Sequence, residues 1–229
     1  MPRQIRYGDY VQAVTVDQDK LSYSQLMSKP VVDNDGNEVA QKPEKLQMSN
    51  LVNCNLVYKQ NFLSVEDVPV RDIARQVGTP FYVYSATAIK SNYEKFVSCL
   101  GDLNHSIFFA VKANSNIAVL KHLANLGAGM DIVSSGEYQR AKAAGVSGDK
   151  IVFSGVGKTK AEITLAIENG IKQFNVESEP ELNILNSVAQ SRNKFVPVSI
   201  RINPDIDAQT HEKISTGKSD NKFGIPYNE

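Results

Sequence analysis

Cysteine is scarce: the chain has Cys54 and Cys99 and no others. Two thiols are too few for a disulfide framework, and their spacing suits no metal site. Both read as reduced thiols of a cytoplasmic protein. His105, His122 and His211 are scattered and build no metal motif. Net charge is lacking as well, with 25 basic side chains against 25 acidic ones. That balance leaves no basic footprint for nucleic acid and no acidic tail. No apolar run is long enough to span a membrane. The opening Met1-Pro2-Arg3-Gln4-Ile5-Arg6 is not followed by the apolar segment that a secretory signal needs. Nucleic-acid and membrane partners are thereby excluded as expectations. The 229 residues suit one large domain or two small ones.

Residues 1–50 differ from the rest. Lys29-Pro30, Asp33-Asn34-Asp35-Gly36-Asn37 and Gln41-Lys42-Pro43-Glu44 are turn and linker signals. Val31-Val32 and Val39 around Asp35-Gly36 can form a hairpin. Without a core pattern, this stretch reads as a flexible extension. From Leu51 the apolar density rises. Leu56-Val57-Tyr58 reads as a short strand. Val70, Ile73, Ala74 and Val77 fall on one helical face that Gly78 ends. Phe81-Tyr82-Val83-Tyr84-Ser85 reads as a strand, and a helix is expected from about Ala86 to Leu100.

A regular rhythm follows. Strand candidates start near Phe108, Asp131, Ile151, Phe174 and Val198, 20 to 24 residues apart. Helices lie between them. Ser134 with Glu137, Thr159 with Glu162 and Ser178 with Glu181 have the spacing of capping boxes. Gly127, Gly145 and Gly170 are stop signals, and Pro180 suits a first turn. Ile163, Ala166 and Ile167 share one helical face, as do Leu182, Leu185 and Val188. Such units give a doubly wound sheet or a (β/α)8 barrel. The near-constant period favours the barrel, as do the polar residues at strand ends: Lys112, Ser134, Ser154, Glu177 and Asn203. No Gly-x-Gly-x-x-Gly follows the first strand, which argues against a dinucleotide fold. Ser154-Gly155-Val156-Gly157-Lys158-Thr159 lacks the leading glycine of a phosphate loop and reads as a glycine turn feeding a helix.

Phe108-Phe109-Ala110-Val111-Lys112 reads as a strand buried on both faces. It would put Lys112 at the carboxyl end, where parallel α/β folds do their chemistry. A lysine in an apolar wall loses solvation and its pKa falls. The neutral amine can then form a Schiff base with an aldehyde cofactor. The alternative is a strand-end lysine that snorkels to water.

The ordered motifs carry a resemblance over about Leu51 to Glu229. They are Thr79-Pro80-Phe81-Tyr82-Val83-Tyr84, Phe109-Ala110-Val111-Lys112-Ala113-Asn114 and Gly129-Met130-Asp131-Ile132-Val133-Ser134-Ser135-Gly136-Glu137. Phe153-Ser154-Gly155-Val156-Gly157-Lys158-Thr159, Asn175-Val176-Glu177-Ser178 and Ile200-Arg201-Ile202-Asn203-Pro204 follow. The chain resembles the diaminopimelate decarboxylases, pyridoxal-phosphate enzymes of fold type III with an alanine-racemase-like barrel. The resemblance implies that Lys112 holds pyridoxal 5′-phosphate. It implies that Asp131 and Arg201 line the site, and that Ala110 and Asn114 shape the cofactor pocket. Thr210-His211-Glu212-Lys213-Ile214-Ser215-Thr216-Gly217 and Lys222-Phe223-Gly224 resemble a loop at the barrel top, with no catalytic role. The implied reaction is α-decarboxylation of meso-diaminopimelate to L-lysine, in a cytoplasmic enzyme that is a homodimer at full length.

The chain also departs from that pattern. The family's later histidine, glycine-rich, Glu-Pro-Gly-Arg-like and cysteine-bearing segments have no match before Glu229. About five of a barrel's eight strands are countable. The expected fold is thus a partial α/β barrel (51–229) behind an amino-terminal extension (1–50), in a truncated chain inactive by itself. Alternatives are a non-catalytic fragment, a related ornithine or arginine decarboxylase, and an alanine racemase.

Overall fold

The computed structural model describes residues 13–16, 55–203 and 223–226. The hairpin expected around Asp35-Gly36, the boundary near residue 50 and the loop containing His211 lie outside that set. The chain divides into two compact units, Met1–Gly101 and Asp102–Glu229.

The first unit contains β1 (Ala13–Val16), β2 (Leu56–Lys59), β3 (Phe62–Val65), β4 (Val68–Pro69), α1 (Val70–Val77), β5 (Tyr82–Ser85) and α2 (Ala86–Leu100). Here β1 runs parallel to β5, while β2, β3 and β4 form an antiparallel sheet. The hairpin between β2 and β3 was not foreseen. It turns at Gln60 and Asn61, both in the left-handed region at φ 49° and 67°. Paired positive φ values match the twist of two flanking strands, but Gln-Asn lacks the glycine that usually announces such a turn. The helix expected at 70–78 forms, with Ile73 buried and Gly78 at φ 82° after its last turn. Ser85 caps α2 by accepting from the Ala88 amide at 2.9 Å.

The second unit alternates strand and helix: β6 (Phe108–Ala110), α3 (Ile117–Asn125), β7 (Gly129–Ile132), α4 (Ser135–Ala143), β8 (Ile151–Phe153), α5 (Lys160–Glu168), β9 (Gln173–Val176), α6 (Glu179–Ser191) and β10 (Val198–Ile200). The five strands form one parallel sheet in the order β10-β9-β8-β7-β6. The expected rhythm is thus realised in full. Short β11 (Ile202–Asn203) then pairs in parallel with β12 (Ile225–Pro226).

Alternation along each strand separates two faces. Met130, Ile132, Phe153, Phe174 and Val176 are at most 1% exposed. Phe153 and Phe174 stack with ring centroids 5.9 Å apart. The helices add Leu120, Ile163, Ala166, Ile167, Leu185 and Val188 to the buried set. Gly129 is fixed by close approach: a Cβ there would lie 2.5 Å from the Phe108 ring and 2.6 Å from the Lys150 carbonyl oxygen.

The helix signals resolve into two kinds. Thr159 and Glu162 make the full reciprocal box. Ser134 and Ser178 cap their helices, but Glu137 and Glu181 reach one residue further back, to the amides of Val133 and Glu177. Gly127, Gly145 and Gly170 follow their helices at φ 106°, 88° and 62°.

One expectation is corrected. The stretch through Lys112 is not a strand buried on both faces. It ends at Ala110, its three residues are half-buried, and Val111–Ala113 form a turn of 3-10 helix. β6 is an edge of the sheet among the described residues, so one side lacks a neighbour to exclude water. Val111 points into the core and is fully buried, while Lys112, next along the turn, is exposed. The apolar wall therefore does not enclose Lys112 in this structure.

Candidate functional site at the strand ends

The carboxyl ends of five parallel strands place polar side chains on the face opposite the buried one. Register brings them together. Ala110, last residue of β6, lies opposite Asp131 on β7, and Asp131 lies opposite Val152 on β8. Opposed residues of parallel strands project to the same face. Lys112 follows Ala110 by two residues on the turn that leaves the sheet. Asn114 ends that turn: its amide donates to the Val111 carbonyl at 3.1 Å, and its Oδ1 accepts from the Asn116 amide at 3.1 Å. Asn116 then caps α3 by accepting from the Ala118 amide at 2.9 Å. The backbone around Lys112 is thus fixed while its side chain stays accessible.

A hydrogen-bonded row crosses the centre of this face. Ser154 Oγ donates to Asp131 Oδ1 at 2.5 Å. Asn175 Nδ2 donates to Ser154 Oγ at 2.8 Å, and Gln173 Nε2 donates to Asn175 Oδ1 at 2.8 Å. Every donor points towards Asp131. Ser154 engages one oxygen of Asp131 and leaves the other without a partner among the described residues. Asp131 sits inside β7, with Ser154 on one of its oxygens.

Arg201 follows β10, and its Nη1 donates to both oxygens of Glu177 at 3.2 Å. Glu177 is 4% exposed and Arg201 remains partly open. The guanidinium also lies over the Phe223 ring at 4.9 Å. Glu177 and Ser154 are where strand-end polarity was expected. Asn203 instead falls in β11, beyond the end of β10, and donates to the Phe223 carbonyl at 3.2 Å.

Reasoning from the sequence missed Gln173 and Asn175. Their signal was the alternation Gln173-Phe174-Asn175-Val176, which marks a half-polar strand. It also missed a buried ion pair. Lys158 Nζ meets Glu181 Oε1 at 2.6 Å, and the lysine side chain is fully enclosed. Two further groups are tuned by their surroundings. Burial pushes the Glu162 carboxyl up, but it is outweighed by the amides of Ser135 and Thr159 and their side chains, and the carboxyl lies below its ordinary value. Burial raises the Tyr138 phenol. Among the described residues no cluster of His, Cys, Asp and Glu could hold a metal, and no helix is long and apolar enough to cross a membrane.

Residues 86–229 match the family model described as pyridoxal-dependent decarboxylase, pyridoxal binding domain. A diaminopimelate decarboxylase of Vibrio cholerae is 55% identical over 165 residues, covering 72% of this chain and 40% of its own length. The crystal structure of the Helicobacter pylori diaminopimelate decarboxylase complexed with L-lysine aligns at TM-score 0.66 and 44% identity, over 69% of this chain and 40% of that one. The M. jannaschii diaminopimelate decarboxylase in complex with L-lysine aligns at TM-score 0.69 and 38% identity, over 77% and 42%. The chain thus spans about 40% of the length of these relatives, and its parallel α/β sheet forms part of their barrel. On the match over residues 86–229, the chain belongs to the pyridoxal-dependent decarboxylase family and carries sequence of its pyridoxal-binding domain.

Proposed function

We propose that this chain contributes the lysine-bearing part of an enzyme that uses pyridoxal 5′-phosphate to decarboxylate meso-diaminopimelate to L-lysine. The observation that carries the reading is the placement of Lys112. Its exposed amine stands on a fixed turn at the end of β6, two residues beyond the partner of Asp131 in the sheet register. The donor set fits the cofactor: an accessible amine for its aldehyde, a carboxylate with one free oxygen, and a partly open guanidinium. Lys112 would hold the cofactor, Ala110 and Asn114 would bound its pocket, and Asp131 and Arg201 would line the site.

When bound, pyridoxal phosphate supplies an electron sink for the pair left on the α-carbon as carbon dioxide departs. The chain's own contribution is positional and electrostatic. Ser154 holds one oxygen of Asp131, so the other is free to accept from a cation or N–H in the site. Glu177 fixes one nitrogen of Arg201, which leaves other N–H groups for an anionic oxygen. Lys112 Nζ would hold the cofactor at the mouth of the strand ends, where its amine could also take up or give a proton. The names of the relatives, and the L-lysine bound in two of them, support diaminopimelate over ornithine or arginine. The full-length enzyme is proposed to be a cytoplasmic homodimer.

The test mixes the purified chain with pyridoxal phosphate and follows near-visible absorbance before and after borohydride, with peptide mapping of the reduced adduct. The label is expected on Lys112 and absent from Lys112→Ala. Labelling spread over other surface lysines overturns the assignment. On the full-length protein, lysine release from diaminopimelate, and none from ornithine or arginine, is the required outcome.

A further inference from the structure

The Ser154-to-Thr159 turn, with its superficial likeness to a phosphate loop, has a different use. Lys158 has three ammonium protons and three acceptors: the carbonyls of Gly155 and Asn175 at 2.7 Å each, and Glu181 Oε1 at 2.6 Å. Its side chain is fully enclosed. A saturated, buried ammonium cannot also hold a phosphate. What it holds is the protein. Gly155 belongs to the loop after β8, Asn175 to β9, and Glu181 to the first turn of α6.

The second oxygen of Glu181 continues the chain of contacts by accepting from the Glu177 amide at 3.0 Å. Glu177 in turn presents both carboxylate oxygens to Arg201 at 3.2 Å. We infer that Lys158 is a positioning residue which, through Glu181 and the Glu177 amide, sets the direction in which Arg201 faces the strand ends. Two carboxylates are thus bracketed by two cations. Removing the buried cation leaves Glu181 enclosed without a counter-charge, a state that forces rearrangement. The nearest freedom to rearrange lies at the Glu177 backbone and at the partly open Arg201. This inference rests on the reading of Arg201 as a site residue, but its main readout needs no cofactor.

The experiment follows the Arg201 side-chain N–H signals by nuclear magnetic resonance in the whole chain, assigned by their loss in Arg201→Lys. Lys158→Met is expected to move them towards the free-arginine position and to speed their exchange with water. Glu181→Gln is the gentler variant. Both Glu181 oxygens accept; with its one carbonyl oxygen kept on the Lys158 ammonium, the glutamine amide turns its NH2 group on the Glu177 N–H. Exchange of the Glu177 amide should then quicken about tenfold, the loss of one charge-assisted hydrogen bond, with a smaller Arg201 shift in the same direction. Ile163→Val loosens the buried face without touching this chain of contacts, and should leave both signals in place.

A folded Lys158→Met protein with unmoved Arg201 signals overturns the inference. If that variant fails to fold, an unmoved Arg201 signal in Glu181→Gln overturns it. Failure of both to fold also does so, by assigning the pair to stability alone. A wild-type chain that takes up no pyridoxal phosphate but shows the expected shifts sinks the proposed function and spares this inference. The reverse pattern does the opposite.

Discussion

The two faces of the five-stranded sheet are made of the same strands and differ in what holds them. One is dry: Met130, Ile132, Phe153, Phe174 and Val176 are packed to near-zero exposure. The other is half-open, and there Asp131, Ser154, Asn175 and Gln173 are joined by hydrogen bonds. Dispersion and the hydrophobic effect are non-directional and additive over area, so the first face secures the scaffold. Hydrogen bonds are directional and contribute little net stability, so the second fixes orientation at small energetic weight. A single residue step along β9 moves from one regime to the other. Stability and chemistry are thereby separable in this unit, and substitutions on the two faces should sort accordingly.

The sharpest break in the comparison comes from Phe174→Ala. It removes a stacked ring from the dry face and leaves a cavity that the close-packed helices can only partly fill. The expected loss is about 3–5 kcal/mol, read as a fall in the urea midpoint with the slope unchanged. A loss under about 1 kcal/mol would mean that the face is not close-packed. On the open face, Ser154→Ala strands one oxygen of Asp131 and one N–H of Asn175, both in partial contact with water. About 1–2 kcal/mol is expected from that, with β7, β8 and β9 still paired by amide exchange.

How much of this could be read from the chain depended on the range of the interaction. Helix caps and stops are encoded within four residues, and Ser134, Thr159, Ser178, Gly127, Gly145 and Gly170 all act where their spacing put them. The five strands were legible because an apolar run between such signals has few other uses. Partnerships across the sheet were not. That Ser154 meets Asp131, 23 residues earlier in the chain, follows from β7–β8 register, which no local pattern encodes. The same holds for Lys158 and Glu181: their spacing suggests nothing until β8, β9 and α6 are packed. Glu181 is expected as a capping partner of Ser178, yet its carboxylate serves Lys158 and the Glu177 amide. The enclosure of Lys112 was misjudged for a related reason. Apolar content says that a strand has a buried side; it does not say whether the strand is an edge.

Glu162 ties the two regimes together at a helix start, and pH separates them. Its Oε1 accepts from the Ser135 amide at 2.8 Å and its Oε2 from the Thr159 amide at 3.0 Å, so one carboxylate joins the first turns of α4 and α5. These contacts hold the carboxyl below its ordinary value despite burial. The unfolded chain titrates at the ordinary value, so the folded state binds the proton less readily. The stabilisation is complete above the ordinary carboxylate pKa and is lost as pH falls through the lower folded value. Glu162→Gln should cost about 1 kcal/mol at neutral pH, the usual worth of a helix cap. The gap between the two urea midpoints should close on acidification. A gap that persists undiminished well below the carboxylate range would show that the charge is not what joins the helices.

The smallest effect on folding is expected at the residue of most chemical interest. Lys112→Ala removes an exposed side chain from a turn whose backbone is fixed by Val111, Asn114 and Asn116. Alanine suits that turn, and the lost side chain buries little. The stability read from the urea midpoint should stay within about 0.5 kcal/mol of wild type, as for a surface site without special contacts. Capture of pyridoxal phosphate by borohydride should nevertheless disappear. That dissociation is what an open face with low energetic weight implies. If Lys112→Ala instead unfolds the chain as Phe174→Ala does, the amine belongs to the packed scaffold and the division between the two faces fails at its most important residue.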